Sequence, residues 1–204
     1  MKYISINLGM MPTNSYILFD EKTLNCAIID PADNFEKINR YLQRYSLNLK
    51  YILLTHGHID HIGAVNDLIK NTKAKCVMSN GDIDLIFNST LNQAKWIFNS
   101  DFELNYYPDI ILYDGDVLSF DNVKIECFHT PGHTQGSCIY LCENVMFSGD
   151  TIFKQSYGRT DLYGGNQQQL FDSLKKIYKL DCNYIILPGH MGITTLDEER
   201  NLFI

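Results

Sequence analysis

Residues 51–61, YILLTHGHIDH, place an apolar run directly before four side chains that can bind a metal ion. The first four residues of this stretch are apolar or aromatic and predict a strand. His56 and His58 project to the same side if the strand geometry persists, so one ion can take both imidazoles. Asp60 and His61 fall on the next turn, where they can face a second ion or another side of the same one. We interpret the stretch as the start of a metal site.

The chemistry of these side chains limits the kind of metal and the kind of site. Imidazole nitrogen together with carboxylate oxygen suits borderline and hard divalent cations such as Zn, Fe and Mn. The stretch contains no cysteine, which argues against a closed structural zinc site and favours an open, catalytic one. A solvated histidine loop is the simpler alternative, but four ionisable residues packed together after a strand disfavour it.

Three later motifs each follow an apolar run and carry one further side chain that can bind metal. They are TPGHT with His133, SGDT with Asp150 and PGH with His190. A glycine beside each of these residues permits tight turns and close approach of the backbone. Taken singly, each is better explained as a loop histidine or a capping aspartate. Taken with the first stretch, they predict one shared metal centre. His129 is the remaining histidine, and we interpret it as a core or supporting side chain.

The rest of the chain alternates between short predicted strands and helices. Apolar, β-branched or aromatic runs predict strands at residues 3–7, 15–19, 26–29, 51–54, 123–128, 138–141 and 184–187. Helical spacing of apolar residues predicts a helix over 35–45, with Asp33 or Asn34 as its N-cap, and another over 170–178. Residues 117–128 form a predicted hairpin with a two-residue turn.

Residues 82–99 also have a helical pattern, but their polar insertions indicate a surface excursion or a lid. Trp96 and Phe98 within this segment either wall a pocket or pack in the core, and helical spacing of aromatic residues favours the core.

The mixture of elements favours an α/β fold in which helices cover two packed sheets, over a doubly wound parallel sheet. The chain has 204 residues, 45% of them apolar and 20% charged, which is typical of a soluble globular protein. We found no linker or low-complexity segment. We therefore expect a single domain over residues 1–204.

Charge and composition exclude several classes of partner. The net charge is −7 and no run of Lys or Arg is long enough for a nucleic-acid backbone. No signal peptide and no apolar stretch of about 20 residues is present, so we expect a cytoplasmic protein without a membrane partner. The six cysteines lack CxxC spacing, which indicates reduced and mostly buried thiols.

The ordered series THGHIDH, TPGHT, SGDT and PGH resembles the metallo-β-lactamase superfamily. Within it, SGDTIFKQSYGRTDL, at residues 148–162, resembles the short hydroxyacylglutathione hydrolase, or glyoxalase II, branch. The resemblance covers nearly the whole chain. It implies a four-layer αββα sandwich with mixed sheets, helices on the outer faces and the metal site at one edge.

The resemblance also implies a set of ligands for two divalent metal ions, with Zn expected and Fe or Mn as alternatives. The first ion is then held by His56, His58 and His133, the second by Asp60, His61 and His190, and Asp150 bridges them. A shared carboxylate suits this role because it neutralises part of the charge of two cations that lie roughly 3.5–4 Å apart.

The chain departs from the branch in three places. Met191 follows His190 where the branch has a glycine, and the chain lacks the helical C-terminal extension that supplies basic glutathione contacts in the longer hydrolases. Arg159 stands where the branch often has a lysine. It can bind a substrate carboxylate with two hydrogen bonds, and a structural ion pair with Asp161 is an equally good interpretation.

The activity implied is that of a metal-dependent hydrolase, a thioesterase of the glyoxalase II type acting on a small molecule such as a hydroxyacyl-glutathione. Two metals lower the pKa of a shared water, and the resulting bridging hydroxide attacks the acyl carbon. Asp60 is the expected catalytic residue, since it can orient the hydroxide as well as bind metal. Short members of the family are expected as monomers or homodimers.

Other functions remain open at this point. A persulfide (sulfur) dioxygenase of the same superfamily would use a single iron held by His56, His133 and Asp150. A non-catalytic metal-binding or regulatory domain is disfavoured because every expected ligand is present. The acidic charge disfavours a nuclease, and the motifs of the branch disfavour β-lactam hydrolysis. Metal content distinguishes the dioxygenase, with one iron, from the hydrolase, with two metal ions.

Overall fold

A computed structural model describes the backbone of residues 1–203 and the side chains of residues 1–201. Its first sheet contains six strands whose spatial order follows the chain. These are β1 (Lys2–Leu8), β2 (Thr13–Phe19), β3 (Asn25–Ile29), β4 (Asn48–Leu54), β5 (Lys75–Ser79) and β6 (Ile110–Leu112). The pairs β1–β2 and β2–β3 are antiparallel, whereas the strands from β3 to β6 run parallel. The sheet is therefore mixed.

The later strands form a second mixed sheet and a small hairpin. They are β7 (Val117–Phe120), β8 (Val123–His129), β9 (Cys138–Cys142), β10 (Val145–Gly149), β11 (Ile152–Phe153), β12 (Ser156–Tyr157), β13 (Ile185–Pro188) and β14 (Thr194–Thr195). The sheet has the order β14-β13-β10-β9-β8-β7, and β11 pairs only with β12. Only the β10–β13 pair of this sheet is parallel, so both strands end at the same edge.

Three apolar clusters define the layers. The helices are α1 (Phe35–Arg44), α2 (Ile59–Ile62), α3 (Val65–Thr72), α4 (Ile83–Ile86), α5 (Ala94–Phe98), α6 (Gln167–Tyr178) and α7 (Leu196–Phe203). One cluster joins the two sheets, a second packs α1 and α3 on the first sheet, and a third packs α6 and α7 on the second. The expected four-layer αββα sandwich with outer helices is confirmed.

Strand β4 shows why the opening stretch has a continuous apolar run. Leu53 packs between the sheets, while Ile52 and Leu54 pack toward the outer helices. Successive side chains of a strand point to opposite faces, so a strand that is buried on both faces must be apolar at every position. The strand thus carries His56 and the residues after it out of the core at the edge of the sheet.

Every predicted strand is confirmed, and so are the predicted helices over 35–45 and 170–178. Helix α1 begins after Asn34, whose side chain accepts a hydrogen bond from the backbone N–H of Lys37 at 3.0 Å. The predicted hairpin is formed by β7 and β8, and Asp121 in its turn has φ 49°, as two-residue hairpin turns require. The strands that escaped prediction are β5, β6, β10, β11, β12 and β14.

The prediction of one helix over 82–99 is wrong, since α4 and α5 are separated by a turn. The side chain of Asn88 accepts hydrogen bonds from the N–H groups of Thr90 and Leu91, and that of Asn92 accepts one from Ala94. Such local bonds offer the backbone an alternative to the helix. Among the residues that the model describes, no helix combines the length and the apolar character needed to cross a bilayer.

Candidate metal centre

The structure brings all seven predicted ligands to one edge of the sandwich. Within each of three groups, the candidate ligand atoms lie within 4.8 Å of one another. The groups are His56, His58 and His133; His56, His61 and Asp150; and Asp60, His61 and His190. We call the first the three-histidine group and the last the mixed group. The structure contains two adjacent metal sites, because the second group shares His56 with the first and His61 with the third. The assignment of each ligand to an ion stays a prediction.

In the three-histidine group, Nδ1 of His58 lies 3.0 Å from Nε2 of His133. Two ligands bound at 2.0–2.1 Å to a tetrahedral ion lie about 3.3 Å apart, so this spacing suits an ion between them. Nε2 of His56 is buried and has no hydrogen-bond partner among the described residues. Burial holds the pKa of His56 well below its usual value and lowers that of His58 to about 3. Both rings are therefore neutral, as metal binding requires.

In the mixed group, Nε2 of His190 lies 3.2 Å and Nε2 of His61 lies 3.8 Å from the same oxygen of Asp60. Burial opposes a charge on His61, yet the nearby carboxylates of Asp150, Asp30 and Asp60 raise its pKa well above the ordinary value. The acidic groups thus attract positive charge to this position. A divalent cation can replace the proton, since a metal binds the neutral ring and releases the proton.

Asp150 faces both groups. One carboxylate oxygen lies 3.3 Å from Nε2 of His61, and the other lies 3.6 Å from Nε2 of His190 and 3.7 Å from Nε2 of His133. Burial alone would raise the pKa of this carboxyl, but the surrounding histidines, with His61 foremost, hold it below its usual range. Asp150 is therefore an acceptor-only anion between two candidate metal positions.

Four of the imidazoles are oriented by a hydrogen bond at Nδ1, which leaves Nε2 facing the centre. The partners are Thr55 Oγ1 for His56 (3.1 Å), Asp30 Oδ2 for His61 (2.9 Å), the Arg159 carbonyl for His133 (2.7 Å) and the Pro12 carbonyl for His190 (3.1 Å). Bonds of this kind fix the ring orientation and the tautomer of metal-binding histidines. This arrangement fits a bound metal better than a set of histidines in solvent.

Two buried aspartates that sequence reasoning missed support the centre. Asp30 accepts hydrogen bonds from His61 and from the N–H and hydroxyl of Thr55. Asp82 accepts bonds from the N–H of Gly57 (2.9 Å), the N–H of Gly136 (2.6 Å) and the hydroxyl of Thr134 (2.7 Å). Each residue comes just after a buried strand, β3 or β5, as the metal motifs do. That position was the signal that could have identified them.

The loop that carries His190 is tied to strand β2. The amide of Asn14 donates to the carbonyls of Pro188 (3.1 Å) and Met191 (2.9 Å), and the hydroxyl of Tyr16 donates to Pro188 (2.7 Å). A Cβ on Gly189 would lie 2.5 Å from Oδ1 of Asp150 and 2.6 Å from Cε1 of His61. The loop therefore needs glycine beside the ligand, because no side chain fits between the two groups.

The centre opens into a cavity of about 780 Å³, which is within the usual size range of ligand pockets. His58, Asp60, His133, Asp150 and His190 form part of its lining, together with Arg159. The guanidinium of Arg159 donates two hydrogen bonds to the carboxylate of Asp161, at 2.7 and 2.8 Å. Its contact with a substrate stays a prediction.

The two aromatic residues of 82–99 have different environments. Trp96 lines the cavity, whereas Phe98 packs against the apolar cluster under the first sheet. His129 is outside all three ligand groups, and its interpretation as a core or supporting side chain stays a prediction.

Comparison with known proteins gives a consistent result. The sequence profile of the Metallo-beta-lactamase superfamily matches residues 8–190. Hydroxyacylglutathione hydrolase GloC of Haemophilus influenzae is 31% identical over 96% of this chain and 95% of its own. The crystal structure of BLEG-1 B3 metallo-beta-lactamase is 33% identical, with a TM-score of 0.93, and 98% of this chain and 97% of that chain are covered.

A third relative is TTHA1623, whose crystal structure was solved in a di-iron-bound form. It is 30% identical, has a TM-score of 0.84 and matches 96% of both chains. The profile match covers most of the chain and the sites have the geometry for metal. The chain therefore belongs to the metallo-beta-lactamase superfamily, as a metal-dependent hydrolase with two metal sites.

Proposed function

We propose that the chain hydrolyses thioesters, the class to which hydroxyacyl-glutathiones belong, with two divalent metal ions that are most simply both Zn. The observation that carries the proposal is the position of Asp150, whose two oxygens face the three-histidine and mixed groups within 3.3–3.7 Å. The similarity to the Haemophilus hydrolase supports the substrate class, and the di-iron form of TTHA1623 supports the number of ions and keeps Fe as an alternative.

In the reaction, water adds to the acyl carbon and the carbon–sulfur bond breaks, which yields a carboxylate and a thiol. Bound divalent ions would supply an activated water at neutral pH and would polarise the carbonyl. The residues of the chain hold these charges in place. Asp60 lines the cavity, and its carboxylate is held by its contact with His190 at 3.2 Å. It is therefore placed to accept a hydrogen bond from the attacking water.

The buried supports keep this arrangement ready for the substrate. Asp30 holds His61 in the tautomer that presents Nε2 to the centre, and the carbonyls of Pro12 and Arg159 do the same for His190 and His133. A site that is oriented before the substrate arrives loses no free energy to reorganisation during the reaction. Substrates are small molecules in this proposal, and the protein is a monomer or homodimer without a nucleic-acid or membrane partner.

Hydrolysis of β-lactams is a second candidate, because BLEG-1 has a TM-score of 0.93 to this chain. Oxygenation of persulfides by a single iron would use only His56, His133 and Asp150. Four further side chains that can bind metal lie beside these three, and this arrangement favours two ions and therefore hydrolysis.

Metal analysis coupled to a panel of substrates tests the proposal. We expect two ions per purified chain, and thiol release from thioesters that is faster than the opening of any β-lactam at equal concentration. One iron per chain with oxygen consumption on a persulfide would establish the dioxygenase, and faster lactam opening would establish the lactamase. Failure to release thiol from every thioester, with both ions present, would remove the proposed function.

A further inference from the structure

The wall of the cavity above the metal centre is apolar. Met10, Met11, Trp96 and Met191 line it, and the exposed fractions of Met10, Trp96 and Met191 are 77%, 77% and 59%. Phe153 continues the wall toward His190, with ring centroids 6.0 Å apart. Large apolar side chains that cluster in the open around a cavity mark a surface for a ligand. Methionine in particular adapts its shape to different apolar groups.

The same cavity offers little to a charged ligand. Among the described residues that line it, Arg159 is the only Lys or Arg, and both arms of its fork already bind Asp161. A substrate carboxylate has to share this guanidinium with Asp161, whose charge already neutralises it. Bound metal ions would take up the charge of Asp60 and Asp150 at the floor, and the rest of the chain disfavours an anionic ligand because its net charge is −7. Glutathione carries two carboxylates and one ammonium group, so this cavity gives it poor charge complementarity.

Met191 takes part in the wall in an unusual backbone conformation. Its φ is 67°, in the left-handed region that side chains other than Gly, Asn and Asp rarely adopt. The amide of Asn14 holds its carbonyl at 2.9 Å, which keeps the residue in this conformation at the mouth of the cavity. A strained residue beside a candidate active site is a reason to look for a role of its side chain.

We infer that this wall binds an uncharged apolar group of the substrate, so that the preferred substrates are thioesters of apolar acyl chains on a neutral thiol. The inference rests on the proposed thioester hydrolysis for its chemistry. It concerns the acyl group and the thiol on either side of the carbon–sulfur bond that is broken. It distinguishes this chain from an enzyme that binds glutathione. The wall and the metal centre belong to one cavity, so an acyl chain on the wall brings its carbonyl to the ligands.

A substrate series gives the direct test. Acetyl, butanoyl, hexanoyl and octanoyl thioesters of N-acetylcysteamine are compared with the same acyl groups on glutathione, with the enzyme loaded with two metal ions. Full burial of one methylene corresponds to about a fourfold gain, and the wall is partly open, so we expect kcat/KM to rise about two- to fourfold per methylene. We expect the neutral thiol to be preferred at least about tenfold. Equal kcat/KM values along the series, or a preference for the glutathione thioesters, would overturn this inference but not the proposed thioester hydrolysis.

Two wall variants and matched controls locate the effect. Met191→Gly and Trp96→Ala are expected to lower the gain per methylene to below about 1.5-fold. Lys73→Gly, at another left-handed position (φ 63°), and Tyr113→Ala, at another exposed aromatic residue, lie outside the cavity and should keep the gain of the parent. Asp161→Asn frees the fork of Arg159 and should narrow the preference for the neutral thiol about threefold or more. Wall variants that keep the full gain overturn the inference.

Binding without turnover separates this inference from the proposed function. Calorimetry can use thioethers, which the enzyme cannot hydrolyse: S-butyl, S-hexyl and S-octyl N-acetylcysteamine, and S-hexyl glutathione. The Kd should fall with each added methylene, and it should be lower for the N-acetylcysteamine thioether than for the glutathione one. A Kd that falls along the series without hydrolysis of any thioester supports the apolar wall and contradicts the proposed function. A Kd that does not change along the series contradicts the inference about the wall. Sedimentation that shows a dimer lost in Trp96→Ala would assign the surface to a second copy of the chain and overturn the inference.

Discussion

The three-histidine and mixed groups lie side by side but differ in charge, exposure and support. The first offers three buried imidazoles. The mixed group contains a carboxylate, and the side chain of His190 is 22% exposed. Asp82 supports the loops of the three-histidine group, whereas Asp30 directly orients His61 of the mixed group. A tightly held position and a more open one therefore share the carboxylate of Asp150.

The largest expected effect comes from Asp150→Ala, because this change removes the anion that faces both groups. Loss of a residue that merely supports a ligand typically costs 10–100-fold in metal affinity or activity, so removal of Asp150 should cost more than about 100-fold in kcat/KM. Metal analysis after dialysis should show fewer than two ions per chain. The control is Asp172→Ala, at an exposed aspartate outside the centre. An Asp150→Ala enzyme with full activity and two ions contradicts the bridging assignment.

His190→Ala tests whether the two groups are separate. The more open mixed group should lose its ion, while the three-histidine group keeps one, so we expect one ion per chain and a loss of thioesterase activity of about 100-fold. His129→Ala is the matched control, since this histidine lies outside the ligand groups. A His190→Ala enzyme that keeps full thioesterase activity with one ion would show that hydrolysis needs only the ion of the three-histidine group.

Asp82→Asn and Asp30→Asn should weaken the two ions unequally, with losses of about 10–100-fold in affinity. Asp30 acts mainly on His61, although it also holds Thr55, which orients His56. Asp82 accepts from three donors, so an amide group there must turn its own N–H groups toward one of them. An amide at residue 30 can donate to Nδ1 of His61, which places the proton on Nε2 and blocks metal binding.

Titration calorimetry in the His190→Ala background separates the two effects. There only the ion of the three-histidine group remains, so Asp82→Asn should weaken it more than Asp30→Asn does. Asp84→Asn and Asp33→Asn, at exposed neighbours on the chain, serve as controls. Equal effects of the two substitutions on the remaining ion would show that the groups share their support.

Met191→Gly should have the smallest effect on the fold itself. Relief of a left-handed residue is worth roughly 1–2 kcal/mol and the added freedom of glycine in the unfolded chain costs roughly 0.5–1 kcal/mol. Urea unfolding should therefore show a free energy of unfolding equal to that of the parent or up to about 1.5 kcal/mol higher. Lys73→Gly, with nearly the same φ, should behave alike. A loss of more than about 1 kcal/mol would mean that the Met191 side chain supports the loop.

Sequence patterns predicted the strands that are buried on both faces and the ligands that follow them. The spacing in THGHIDH and the glycines beside His133, Asp150 and His190 were sufficient, because a strand end followed by a tight turn has few conformations. The patterns misled over 82–99, where side chains of Asn88 and Asn92 compete with the helix for backbone hydrogen bonds. The spacing of apolar residues carries no information about this competition.

Residue patterns alone were enough to predict the layered α/β class, the candidate ligands and the chemistry of a nitrogen-and-carboxylate metal site. The side chains that support the ligands, and the surroundings of the site, became visible only in the folded chain. Asp82 acts on a loop 25 residues away in the chain, and Thr134 binds it across 52 residues. The apolar wall likewise joins Met10, Trp96 and Met191 from three separate segments. Local patterns report propensity and periodicity, whereas long-range hydrogen bonds and cavities exist only once the two sheets have packed.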